Sequence, residues 1–113
     1  MTDRHELTID AQSSGEQATV YCRGKLTLLS APQLRREVKQ LLPQARVITI
    51  DFTNLTLLDS VGLGMIVAMY ASARAAGCEL HLVNVSPRIR ELFSVTRVLS
   101  LFETCGEANV RMV

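Results

Sequence analysis

Six consecutive residues, Asp59-Ser60-Val61-Gly62-Leu63-Gly64, have the types and spacing that could do chemistry. An acid and a hydroxyl precede an apolar run, as they do where a helix begins. The first turn of a helix carries unsatisfied N–H groups and roughly half a positive charge, so it favours a hydroxyl cap or an anion. In that turn Gly62 and Gly64 each cost about 1 kcal/mol relative to Ala. The missing side chains predict a shallow, open surface around Ser60, where another protein's backbone can approach closely. The plainer alternative makes Ser60 an ordinary N-cap and Asp59 a charge that complements the helix dipole.

The rest of the chain offers this segment no catalytic company. Gly62-x-Gly64 is half of a dinucleotide fingerprint, but Val67 stands where a third glycine belongs. No Gly-x-x-x-x-Gly-Lys loop and no Ser/His/Asp set is visible, so the sequence does not read as an enzyme. Asp51 closes an apolar strand, as the acceptor of a receiver domain would. However, Leu7-Thr8-Ile9-Asp10-Ala11 supplies no acidic pair, and the only lysines are Lys25 and Lys39. Cys22, Cys78 and Cys105 have no Cys-x-x-Cys spacing, and neither His5 nor His81 pairs with a cysteine at ligand spacing. They read as reduced structural thiols, with no metal and no cofactor.

Elements on both sides must position the segment. Leu7, Ile9 and Ala11, then Val20 and Cys22, alternate with polar neighbours around Gln12–Glu16 and predict two strands and a turn. A loop follows Gly24. Ser30 then caps a helix with Pro32 in its first turn and Leu34, Val38, Leu41 and Leu42 on one face, and Pro43 stops it. Val47–Phe52 is nearly continuous in apolar character and predicts a parallel strand buried on both faces. A loop over 54–58 then leads to the motif and to a helix from about Ser60 to Ala76. In that helix Leu63, Ile66, Val67 and Tyr70 form the sheet-facing stripe, and Met65, Ala68, Met69 and Ser72 lie opposite. An outward stripe of Met and Ala suits a partner surface; deep burial or a homodimer would fit it equally. Cys78–Val85 returns to strand, and Ser86-Pro87 opens a third helix with Ile89, Leu92 and Phe93 on one face. Val98–Phe102 reads as an edge strand, and Thr104–Val113 as a further turn of helix. The expected fold is α/β, one domain over residues 1–113, with a mixed four- to five-stranded sheet and right-handed crossover helices.

The composition narrows function from the other side. Twelve basic and eleven acidic residues leave a formal charge of +1 among 113 residues, without the electrostatic footprint of a nucleic-acid binder. Aromatics make up 4%, too few for a base-stacking surface. No apolar run is long enough to span a membrane, and Met1-Thr2-Asp3-Arg4-His5-Glu6 is too polar for a secretory signal. A soluble, cytoplasmic protein without nucleic-acid or membrane partners is expected.

Asp59-Ser60-Val61-Gly62-Leu63-Gly64 resembles the Asp-Ser-(Ser/Thr)-Gly-Leu-Gly signature of STAS-domain anti-sigma factor antagonists, bacterial regulators of transcription. Gly24-Lys25-Leu26 with Ala31 and Leu34, the strand Ile48–Phe52, and Val83-Asn84-Val85-Ser86-Pro87 with Leu92-Phe93 extend the resemblance over nearly the whole chain. It implies a single STAS domain that binds a serine-kinase anti-sigma factor, or a related ATPase-fold partner, and so frees a sigma factor. It also implies that the kinase phosphorylates Ser60, that the phosphorylated form does not bind, and that a phosphatase resets the switch. The partner surface expected from signature and helix is Asp59, Ser60, Val61, Gly62, Leu63, Gly64, Met65 and Met69. Val61 replaces the family's second hydroxyl, and Thr27 stands where the family has an acid after Gly-x-Leu. Two other functions suit the same resemblance. One is a STAS scaffold or accessory subunit of a sensory assembly or lipid transporter, without reversible phosphorylation. The other is a domain that binds a nucleotide or small ligand.

Overall fold

A computed structural model describes residues 6–95 and 110–111. Chain order runs β1 (Leu7–Ser14), β2 (Gln17–Leu26), α1 (Ala31–Leu41), β3 (Val47–Leu58), α2 (Ser60–Ala75), β4 (Glu79–Val83), α3 (Pro87–Val95) and β5 (Val110–Arg111). The strands lie in the sheet in the order β1-β2-β3-β4-β5. β1 and β2 form an antiparallel hairpin that closes on the pair Ser14 and Gln17, with Gly15 at φ +63° in its two-residue turn. The remaining neighbours run parallel, as strands linked through helices must.

Burial alternates along the strands. Ala18, Val20 and Cys22 of β2, Ile48, Ile50 and Phe52 of β3, and Leu80 and Leu82 of β4 point to one face. There they form a single core with Ala31, Leu34 and Val38 of α1 and Leu63, Ile66, Met69, Tyr70 and Ala73 of α2. On the opposite face Val47, Thr49 and Asp51 are only half-buried among the described residues. The expectation that Val47–Phe52 is covered on both faces is therefore corrected. Thr49 and Asp51 supply the polar alternation of a strand with one fully covered side.

β3 runs six residues beyond Phe52, and 54–58 is strand rather than the expected loop. Its register against β2 shifts between Tyr21 and Arg23 and again between Gly24 and Lys25. Each shift places one extra residue in β3, so buried Phe52 and Leu55 stand three apart. A bulge of this kind breaks the period of two on which strand patterns rest. Beyond the shifts the pairing resumes, Lys25 with Leu57 and Leu26 with Leu58.

At the start of α3 the Ser86 hydroxyl accepts from Ile89 N at 3.3 Å, as the sequence predicts. The expected turn of helix in the tail is corrected at Val110 and Arg111, which pair with Leu82 and Val83 as β5. There the ladder on β4 satisfies backbone groups that a lone helical turn leaves open. The edge strand expected over Val98–Phe102, and the side chains of Leu92 and Phe93, lie outside the described residues.

Candidate functional site

β2 and β3 end side by side, and α2 starts one residue after β3. The segment between them is tied down from several directions. Asp59 N donates to Leu26 O at 3.2 Å, which locks the end of β3 to the end of β2. Asp59 is extended, at φ −100° and ψ 179°, and it is the N-cap of α2: its Oδ1 accepts from Gly62 N at 2.8 Å. Its other carboxylate oxygen accepts from Leu28 N at 3.1 Å, in the loop before α1. One carboxylate thus satisfies a donor of the helix start and a donor of the neighbouring loop. The cap is Asp59, not Ser60. Ser60 becomes the first helical residue, exposed, and its hydroxyl has no hydrogen-bond partner among the described residues.

The two glycines of the motif do different work. A Cβ on Gly62 would stand 2.4 Å from Leu26 O and 2.9 Å from Leu58 Cδ1, so Gly62 is what lets α2 rest on the end of β2. The open surface expected at Gly62 is filled by the protein itself. At Gly64 a Cβ would meet nothing within 4 Å, and that position is exposed.

The loop Thr27–Ser30 has its own ties. Ser30 Oγ donates to Lys25 O at 2.7 Å and accepts from Thr27 N at 2.9 Å. It makes no cap bond to α1, and this corrects the expectation that it caps the helix. The Thr27 hydroxyl donates to the Glu6 carboxylate and accepts from Leu29 N at 3.2 Å. A carboxylate is therefore present at this loop, supplied by Glu6 rather than by residue 27. Gly24 permits the approach: a Cβ there would stand 2.3 Å from Glu6 O, and its φ is +110°.

These ties hold apolar side chains in the open. Leu28 is 63% exposed, Leu29 79%, Leu57 46% and Val61 42%. Four of the five large exposed hydrophobics of the described residues stand at this one end of the sheet. Three of them, Leu28, Leu29 and Leu57, were not legible as site residues, because apolar residues in loops and strands read as core by default. Of the residues the sequence singles out, Ser60, Val61 and Gly64 are exposed, and Asp59 and Met65 are half-buried. Gly62, Leu63 and Met69 are buried. Met69, expected on the outer side of α2, joins the core, whereas Val67 of the expected sheet-facing stripe is only half-buried. α2 is apolar on nearly every side, so its composition does not fix its rotation; the contact of Gly62 with Leu26 does.

Burial, and after it the charge of Asp51, push the Cys22 thiol up to about 12, so it is no nucleophile at neutral pH. Burial also raises Cys78. Among the described residues no group of three His, Cys, Asp or Glu side chains could hold a metal ion, and no helix is long and apolar enough to cross a membrane. What the arrangement offers is a hydroxyl at a helix start, without a hydrogen-bond partner among the described residues, at the end of the sheet where Leu28, Leu29, Leu57 and Val61 are exposed.

Comparison with known proteins bears on the family and the fold. Residues 9–103 match a family model described as Mlab, STAS domain. The chain is 27% identical over 103 residues to an anti-sigma-B factor antagonist of Bacillus subtilis (strain 168), which covers 91% of this chain and 94% of the relative. It is 31% identical over 86 residues to the anti-sigma-B factor antagonist of Listeria monocytogenes, covering 74% and 75% of the two chains. Among solved structures, the anti-sigma factor antagonist SpoIIAA in its unphosphorylated form superposes with a TM-score of 0.74 at 17% identity, over 94% of this chain and 88% of that one. An anti-sigma factor antagonist from Mycobacterium paratuberculosis gives 0.74 at 20% identity, over 92% and 86%. At those identities the structures bear on the fold.

Proposed function

The chain belongs to the STAS domain family, and we propose that it is an anti-sigma factor antagonist switched by phosphorylation of Ser60. In this reading it binds a serine-kinase anti-sigma factor in the cytoplasm and so frees a sigma factor, and a phosphatase restores the binding form. The observation that carries the reading is the free, exposed Ser60 hydroxyl amid Leu28, Leu29, Leu57 and Val61. The relatives' names support it, and SpoIIAA has been solved in an unphosphorylated and a phosphorylated form.

Both halves of the switch have a physical basis. A partner that covers the leucines removes apolar surface from water, worth about 1.5–3 kcal/mol for each side chain fully buried. Transfer of a phosphoryl group to Ser60 Oγ, with loss of the hydroxyl proton, places about −1.5 to −2 charge at the centre of that surface. The helix N-terminus tolerates the group locally, since its free N–H groups and dipole favour an anion. Docking does not tolerate it. A partner would have to desolvate a dianion beside Asp59, against like charge. With a formal charge of +1, one phosphate also turns the whole chain negative, to about −1.

The test is binding to an ATPase-fold kinase recovered with the protein and identified by mass. Ser60→Ala should bind as the wild type does, and Ser60→Asp at least tenfold more weakly. Incubation of kinase, ATP and protein should add one phosphate, absent in Ser60→Ala. Equal binding by both variants rejects the switch.

A second reading keeps the surface and drops the phosphate: an accessory STAS subunit of a sensory assembly or a lipid transporter. Thr27 in the place of the family's acid favours it. It is supported if a transporter ATPase or a large multi-STAS complex is recovered and Ser60 stays unmodified.

A further inference from the structure

The surface continues past Ser60 into a groove between α1 and α2. A hollow of about 310 Å³ is lined by Pro32, Arg35, Arg36, Lys39 and Met65. A second, of about 30 Å³, adjoins it through Arg35, Lys39 and Met65 and reaches Ala68. The floor is apolar and the α1 rim is basic. Arg35, Arg36 and Lys39 are exposed, and none forms an ion pair among the described residues. A chain that is nearly neutral as a whole therefore carries three unpaired cations within five residues, next to its exposed leucines.

We propose that this groove receives an acidic, amphipathic helical segment of the partner that docks at Ser60. The proposal rests on the reading of that surface as a protein-docking site and adds the chemistry of what docks. A furrow between two helices accepts the ridge of a third. Pro32 to Leu42 spans about 15 Å of α1, three turns of such a segment. Apolar side chains of the segment would cover Met65 and Ala68, and its carboxylates would meet Arg35, Arg36 and Lys39. A second copy of this chain fits poorly, because a two-fold contact sets a surface against itself and would oppose like charges. A lipid surface is flat, whereas the cations here border a concavity.

The probe is a synthetic 16-residue helical peptide with leucines on one face and glutamates on the other, and its counterpart with lysines for glutamates. Binding is followed by fluorescence anisotropy and by the Met65 methyl signal in NMR. The acidic peptide should bind and shift Met65. Arg35→Glu with Lys39→Glu should weaken it at least tenfold, as should a rise from 50 to 300 mM salt (amounts set by about two lost charge pairs). The lysine peptide should not bind. Both substitutions are on exposed positions, and an unchanged melting temperature verifies the fold. Equal binding of the two peptides, or an unmoved Met65 signal, overturns the proposal. So does a wild-type dimer in sedimentation that the double variant abolishes. Binding to phosphatidylglycerol vesicles that depends on the same two cations, with no binding of the acidic peptide, overturns it in favour of a membrane. Against the identified kinase, the double variant should also lose at least tenfold in affinity. Ser60→Asp reports on the switch alone, so the groove and the switch fail separately.

Discussion

Ser30 and Ser60 each stand at the start of a crossover helix, and the fold uses them in opposite ways. Ser30 is 3% exposed, with its hydroxyl spent on Lys25 O and Thr27 N. Ser60 is exposed and its hydroxyl has no partner among the described residues, because Asp59 takes the capping role. The difference lies in where each serine stands. Ser30 occupies the N-cap position of α1 with its hydroxyl turned back into the loop, whereas Ser60 follows the cap of α2, Asp59, whose two oxygens serve its own helix and the loop that holds Ser30. The same side-chain type is therefore a fastening in one place and an unencumbered hydroxyl in the other, and only the second is open to an enzyme.

The widest contrast is expected at the glycines that follow Ser60. Gly62→Ala pushes a methyl into Leu26 O and should cost roughly 1–3 kcal/mol. Gly64→Ala enters open space and should stabilise by up to about 1 kcal/mol. Urea denaturation of both variants measures this, and effects of the same sign would break the account of how α2 is seated. Next comes Asp59→Ala, which removes the cap and the tie to Leu28 N. A loss of about 2 kcal/mol is expected, with faster amide exchange at Leu28 as well as Gly62. Exchange that changes at Gly62 alone would show that the carboxylate does not join the two segments.

The serines themselves give the direct comparison. Ser30→Ala leaves two polar groups without a partner and should cost about 1–2 kcal/mol, while Ser60→Ala should stay within about 0.5 kcal/mol of the wild type. Comparable losses in thermal or chemical melts would mean that Ser60 is also a structural fastening. The smallest effect concerns Cys22. Burial holds its thiol up at about 12 in the folded chain, against an ordinary 9.0. The neutral thiol's contribution is complete below about pH 9 and falls away as pH climbs from there toward 12. Cys22→Ala should flatten the stability profile across that window, and peptide mapping should find Cys22 of the native protein unalkylated at pH 8.

The helices and most of the strands could be read from the sequence because their signals are local: apolar spacing, Pro32 and Pro43 around α1, Gly77 after α2. The lower half of β3 could not. Two bulges put its buried residues out of step, and a strand read by alternation ends at Phe52. The motif drew attention to Ser60 by its glycines, yet for one of the two the reason was mistaken, since Gly62 serves packing inside the chain. Leu28 and Leu29 carry no local signal of their exposure. Nothing in the sequence distinguishes an exposed leucine from a buried one; their exposure follows from ties of the loop to Glu6 and Asp59, which span 21 and 31 residues along the chain. Arg35, Arg36 and Lys39 are plain in the sequence as charged residues of the first helix, but they become the basic rim of a groove only once α2 lies beside α1.

The strand order has a consequence for how the molecule comes into being. Because β1 to β5 sit in the sheet as they occur along the chain, each new strand can add to the edge left by the one before, through a hairpin from β1 to β2 and a single helix from β2 to β3 and from β3 to β4. The Ser60 hydroxyl, the exposed leucines and the groove's rim and floor all lie between residues 6 and 72. The surface offered to a partner is thus drawn entirely from the first three strands and the helices that flank them. During synthesis from the N-terminus its parts are all present before β4 has left the ribosome.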